Sequence, residues 1–129
     1  IKAYPIPEPL YCLNIVFDYQ CVMPPTIGFG TESQRQKWKE TLGKRANDLL
    51  WNTADYAHTV EIEAEQEDTA LFELFNQETE MQEKESAATK LLVACAKRLK
   101  EEWASLGIPS TDDFVVAVSD IEESFLKKI

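Results

Sequence analysis

"LYCLNIVFD", residues 10–18, is rich in aromatic and β-branched side chains and too short for an ordinary helix. It therefore reads as a buried strand. A second run, "FVVAV" at 114–118, is continuously apolar and mostly β-branched, as suits an interior strand covered on both faces. Between them the apolar spacing changes from two to three-and-four. Ala88, Leu92, Cys95, Leu99, Trp103 and Leu106 form the stripe of a long amphipathic helix. Gly107 stands at the C′ position that ends such a helix, and Pro109 follows. The switch of period within one chain predicts an α+β fold. Its sheet should have three to five strands, antiparallel or mixed, and include residues 10–18 and 113–119. The long helix should pack across one face, with shorter helices elsewhere.

The segments between these anchors carry weaker signals. "CVMPPTIGF" after Tyr19 and Gln20 reads as a second strand, which Pro24 and Pro25 require to be short, bulged or at an edge. Thr31 and Gln34 match a capping box opening a helix on which Trp38, Leu42, Ala46 and Leu49 recur, with Gly43 weakening its middle. In "LLWNTADYAH", residues 49–58, Asn52 is a favoured N-cap and Asp55 suits the first turn. Trp51 and Tyr56 then hold the two positions of a hydrophobic staple, and the block reads as architecture rather than as an active-site wall. Leu71, Phe72 and Phe75 begin another helical pattern, with Thr69 as its cap and a polar break in "NQETEMQEKES". Ser119 with Glu122 predicts a final helix in "DIEESFLKKI".

Length and composition set the class. A chain of 129 residues with 44% hydrophobic and 28% charged residues fits one globular domain, residues 1–129. The proline-rich opening "IKAYPIPEPL" reads as neither a signal peptide nor an anchor, and no apolar run approaches the length of a membrane helix. Cys12, Cys21 and Cys95 are odd in number and lack CxxC spacing, so they read as small reduced core residues of a cytoplasmic protein. A Cys12–Cys21 disulfide is the alternative.

The charge is the most informative feature. The net charge is −10, and from Thr53 to Glu85 there are eleven acidic residues against one base, Lys84. The remaining twelve acids and twelve bases cancel. Such a field repels nucleic acid and anionic membrane and attracts a basic partner. Within it, "HTVEIEAEQED" alternates Val60, Ile62 and Ala64 with Glu61, Glu63 and Glu65; Glu67 continues the row, and Asp68 stands beside it. Period two predicts a strand with its carboxylates on one face. Three readings stand: a solvated edge that resists aggregation, a strip that meets a cationic surface, and a carboxylate metal site. The metal reading lacks the DxDxDG-like pattern of a calcium loop.

Catalytic motifs are absent: there is no GxSxG, HExxH, P-loop or GxGxxG, and "GFG" at 28–30 is too short for a phosphate loop. The sole histidine, His58, falls in the structural corner after Tyr56, so no cofactor, metal or nucleophile–histidine pair is expected. Catalysis by paired carboxylates stays open in principle.

The order "LYCLNIVFD", "WNTADYAH", long helix, "DFVVAVSDIEES" resembles a family of small bacterial proteins, formerly of unknown function. That family has an "LYALxLxxD"-type strand, a "WNPAEWAY" block and a closing "DxVLFVSxSD" strand. Trp51, Asn52, Ala54 and Asp55 match the block, with Thr53 in place of the usual proline and Tyr56 in place of the usual tryptophan. The family is found among immunity proteins of polymorphic-toxin and contact-dependent inhibition systems, and it has no catalytic residues to carry over. The resemblance implies a protein that binds and neutralises a cognate toxin. The charge independently suits a basic, nucleic-acid-attacking toxin domain, met through Glu61, Glu63, Glu65, Glu67 and Asp68. An acidic adaptor or chaperone for another basic partner is the alternative, with a carboxylate-dependent enzyme behind it.

Overall fold

A computed structural model describes residues 6–63, 65–80 and 86–129, apart from the side chain of Glu67. Among these residues the chain forms a five-stranded mixed sheet in the order β3-β2-β1-β4-β5. The strands are β1 (Leu10–Asp18), β2 (Cys21–Thr31), β3 (His58–Glu61), β4 (Ser110–Asp120) and β5 (Leu126–Lys128). The helices are α1 (Glu32–Leu42), α2 (Ala46–Leu49), α3 (Gln66–Thr79) and α4 (Ala87–Leu106). The central pair β1–β4 is parallel and every other pair is antiparallel. This is the α+β architecture that the periodicity predicts, with both expected strands at its centre.

Burial of β1 and β4 on both faces explains their composition. Leu13, Ile15 and Phe17 of β1, with Phe114, Val116 and Val118 of β4, face a core closed by Ala88, Leu92, Ala96 and Trp103 of α4 and by Phe75 of α3. On the opposite face Tyr11, Cys12 and Ala117 pack with Leu50, Trp38 and Trp51. The long helix thus covers one face, and α1, α2 and the tryptophan block cover the other. The α4 stripe faces the core as the spacing predicts except at one position: Ala96 is buried in place of Cys95, which is exposed.

Of the three cysteines only Cys12 is in the core; Cys21 and Cys95 are exposed, and all three are free. The Cys12–Cys21 disulfide does not form, because Cys12 pairs with Gly30 and Cys21 with Asp18, at opposite ends of the β1–β2 ladder. Desolvation pushes the Cys12 thiol up to about 12, which leaves it inert.

The two prolines lie where β1 and β2 lose register. Val16 pairs with Thr26 and Asp18 with Cys21, so the residues between them bulge out of the ladder. Of the three options that the prolines left open, the bulge is realised, in a strand that is otherwise long and interior.

Several local signals resolve differently in the tertiary structure. Thr31 is at the N-cap of α1, but its side chain makes no capping hydrogen bond. The Glu8 carboxylate accepts from the Ser33 N–H at 3.1 Å and the Pro9 carbonyl from the Glu32 N–H at 2.9 Å, so the preceding segment caps the helix. Gln34 instead grips the block that leads into β3: its amide donates to the Asp55 carbonyl at 2.7 Å and accepts from the Ala57 N–H. Gly43 does not weaken a helix interior; it ends α1 with φ of 54°, a conformation a side chain would strain. Thr69 is not a cap, because α3 begins earlier at Gln66. The break before α4 lies between Glu80 and Ser86, the N-cap of α4, and residues 81–85 fall outside the described set.

The predicted final helix is a hairpin. After β4 the chain turns and returns as β5, pairing Ser119 with Leu126 and Ala117 with Lys128. Asp120, which is buried, organises the turn: its carboxylate accepts from the Phe125 N–H at 2.7 Å and from the Ser124 hydroxyl. Ser119 is not a helix cap but a buried partner of Asn14. An unpaired edge of β4 offers the last residues ladder hydrogen bonds, which outweigh their helical pattern.

The "WNTADY" block is architectural, as its spacing predicts, though its geometry is different. Asn52 does cap, accepting from the Ala54 N–H at 3.0 Å, but what it caps is one 3-10 turn, Thr53–Asp55. The Trp51 and Tyr56 rings both approach Tyr11 edge-on, at 6.1 and 6.5 Å between centroids, so β1 supplies the surface on which both pack. The Tyr11 and Tyr56 hydroxyls both donate to the Leu50 carbonyl, at 2.7 and 2.5 Å, using both of its lone pairs. Burial raises both phenols well above their ordinary range. "GFG" makes room for this docking. A Cβ on Gly28 would lie 2.3 Å from Thr53 Cγ2, and one on Gly30 would lie 2.7 Å from the Tyr11 ring.

Trp51 is only half-buried, and the Lys128 amine sits 3.7 Å from its ring centroid. Trp51→Ala is therefore expected to cost about 2 kcal/mol, below the 3 to 5 of a fully buried tryptophan. Asn52→Ala should cost about 1 kcal/mol. Urea titration of both variants checks these values, and a Trp51→Ala cost near zero would remove the block from the folding core.

Candidate protein-binding surface

The glutamate row of the acidic segment starts in β3, the sheet edge beyond β2. Its ladder runs from Phe29–His58 to Thr26–Glu61 and stops there. The next two partners in that register would be Pro25 and Pro24, which have no N–H to donate. The strand expected to carry the row through Glu67 is thus cut after Glu61. Glu63 lies in the connection, Glu65 is the N-cap of α3, and Glu67 and Asp68 are in its first turn. Acidic residues suit that first turn, where they meet the positive end of the helix dipole. The apparent period-two row therefore spans two elements, and Ala64 within it lies outside the described residues.

The five predicted residues are adjacent along the chain but do not form one row on one strand. Glu61, Glu63, Glu65 and Asp68 are all exposed. Asp55 precedes them, and Glu73, Glu78 and Glu80 follow on or just beyond α3, also exposed. The β3 edge, the connection after it and α3 thus each present carboxylates to solvent. Among the described residues no three His, Cys, Asp or Glu side chains come together as metal ligands would. His58 is not in a corner after the turn but on β3, half-buried and paired with Phe29.

Asn76 sets how α3 faces the sheet, and no sequence signal singled it out. Its side-chain amide donates to the Met23 carbonyl and accepts from the Met23 N–H, both at 2.7 Å. It thereby satisfies backbone groups in the bulged, proline-containing part of β2. With Asn76 held there, Phe75 faces the core and Thr79 is buried. Leu71 and Leu74 are turned outward, 63% and 53% exposed. Leu71, Phe72 and Phe75 all fit a helical pattern, and spacing alone does not show which of two adjacent apolar residues, Leu71 or Phe72, turns inward.

A concavity of about 220 Å³ is lined by Trp51, Asn52, Ser119, Glu123, Phe125 and neighbouring residues. It lies between the tryptophan block and the β4–β5 turn.

No protein-family model, no curated protein and no solved structure matches this chain. Among the described residues no helix is long and apolar enough to cross a membrane.

Proposed function

We propose that this protein binds a basic protein through the side formed by β3, its connection and α3, and that the partner is a toxin that it neutralises. The single observation carrying the reading is the charge distribution. The whole net charge of −10 lies in residues 53–85, where eleven acids face one base, and the described carboxylates of that segment are exposed. Mutual repulsion among these groups contributes nothing to folding, whereas a cationic partner relieves it. A toxin that attacks nucleic acid needs a basic cleft, and an acidic protein reaches such a cleft quickly. The resemblance of the strand, the "WNTADYAH" block and the closing strand to immunity proteins supports the same reading. Free cysteines suit the reducing cytoplasm in which such a protein would act.

The test uses the product of the gene beside this chain's, which this reading expects to be the toxin domain. Glu61→Lys with Glu63→Lys should slow association at least about tenfold at low salt, weaken its salt dependence and reduce protection. Both positions are exposed, so circular dichroism should show an unchanged fold. Unchanged association kinetics in the folded double variant would return these glutamates to the role of a solvated, aggregation-resistant edge.

A further inference from the structure

Leu71 and Leu74 stand one turn apart on α3, so their side chains are neighbours on one helical face. They are 63% and 53% exposed, while Phe75 of the same helix packs into the core. Asp68 lies one turn before Leu71 and Glu78 one turn beyond Leu74. An apolar pair bordered by carboxylates has the anatomy of an interface, an apolar centre inside a charged rim.

We infer that Leu71 and Leu74 are the apolar anchor of the acidic surface, and that its occupant is a basic protein segment presenting apolar side chains among lysines or arginines. This rests on the reading of the acidic side as a binding surface and adds what that reading lacks, a desolvated centre. Charge selects the occupant. A second copy docked by two-fold symmetry would bring the same carboxylates against themselves. Nucleic acid and anionic lipid are repelled by the same field. A purely cationic surface would leave the leucines wet, so the fitting partner carries both cationic and apolar groups. The leucines would govern residence time and the carboxylates the encounter rate.

Two synthetic probes of equal positive charge separate these contributions: a helical peptide with leucines at every third or fourth position among lysines, and an oligolysine. Fluorescence anisotropy should show the leucine-bearing peptide binding at least about tenfold more tightly than the oligolysine, from the added apolar burial. In Leu71→Ser with Leu74→Ser that difference should disappear while oligolysine affinity stays unchanged. Both side chains are largely exposed, so the double variant should fold, with circular dichroism as the control. Leucine-peptide affinity unaffected by the double substitution would overturn the inference. So would sedimentation showing a dimer of the native chain that the double substitution dissociates, because the occupant would then be a second copy. If the peptide result holds but the neighbouring toxin is not bound, the anchor stands and the toxin reading falls. If Glu61→Lys with Glu63→Lys abolishes protection and the leucine variant leaves peptide binding intact, the toxin reading stands and the anchor falls.

Discussion

Trp103→Ala is expected to lower the stability of the domain by about 3 to 5 kcal/mol, a large share of the margin of a chain this size. Trp103 lies on α4, is 5% exposed, and stacks on Phe114 of β4 with ring centroids 4.4 Å apart and planes 24° from parallel. It joins the long helix to β4, one of the central pair of strands. Lys100, one turn earlier, places its amine 4.8 Å from the Phe114 ring centroid and donates to the Phe114 carbonyl, closing the same junction from the side. The indole Nε1 has no hydrogen-bond partner among the described residues, so the side chain contributes through apolar area alone. Trp103→Phe should therefore be far milder, costing about 1 to 2 kcal/mol for the smaller ring and the space it leaves. Urea denaturation of the two variants against the native chain reads both values. A Phe variant as damaging as the Ala variant would mean that the indole N–H carries a hydrogen bond.

Asn14→Ala should cost roughly 2 to 4 kcal/mol, because it leaves several buried polar groups without their partner at once. Asn14 is fully buried in the middle of β1. Its side-chain nitrogen lies 2.9 Å from Thr53 Oγ1, 3.0 Å from Ser119 Oγ and 3.2 Å from the Trp51 carbonyl, three acceptors sharing two hydrogens. The Ser119 hydroxyl can donate in return to Asn14 Oδ1 at 3.3 Å. One amide thus ties β1 to β4 and anchors the tryptophan block that leads into β3. Ser119→Ala removes fewer of these bonds and should cost only about 1 kcal/mol. Asn14→Leu, which keeps the volume but not the donors, should fail to restore stability. Hydrogen exchange should show residues 51–57 opening before the rest of the sheet in Asn14→Ala. Equal costs for Asn14→Ala and Ser119→Ala would mean that the block is not held by this amide.

The candidate surface was only partly legible in the sequence. Its charge was legible, because net charge is a property of composition and needs no fold. Its geometry was not. The alternation Val60, Glu61, Ile62, Glu63 fits a strand, but the ladder needs donors from β2, and Pro25 and Pro24 withhold them. Nor could spacing show that Asn76 would clasp Met23 and so turn Leu71 and Leu74 outward.

The sequence by itself determined the elements whose burial is complete or whose ends carry strong chemistry. β1 and β4 are apolar on both faces and have no other stable place than the middle of a sheet. The α4 stripe is long enough to define a helix, and Gly107, in the left-handed conformation, ends it where expected. Asn52 caps because its side chain reaches its own turn, a local event. The tertiary structure alone decided the elements that depend on a distant neighbour. "DIEESFLKKI" became a turn and an edge strand because β4 offered an unpaired edge and Asp120 held the turn. Gly28 and Gly30 matter because Thr53, Tyr56 and Tyr11 occupy the space a Cβ would take. Asn14 was one polar residue in an apolar run until Thr53 and Ser119, 39 and 105 residues away along the chain, closed around it. Periodicity reports which residues favour burial and which backbone they favour; the partners that satisfy a buried amide or a free strand edge exist only once the chain has folded.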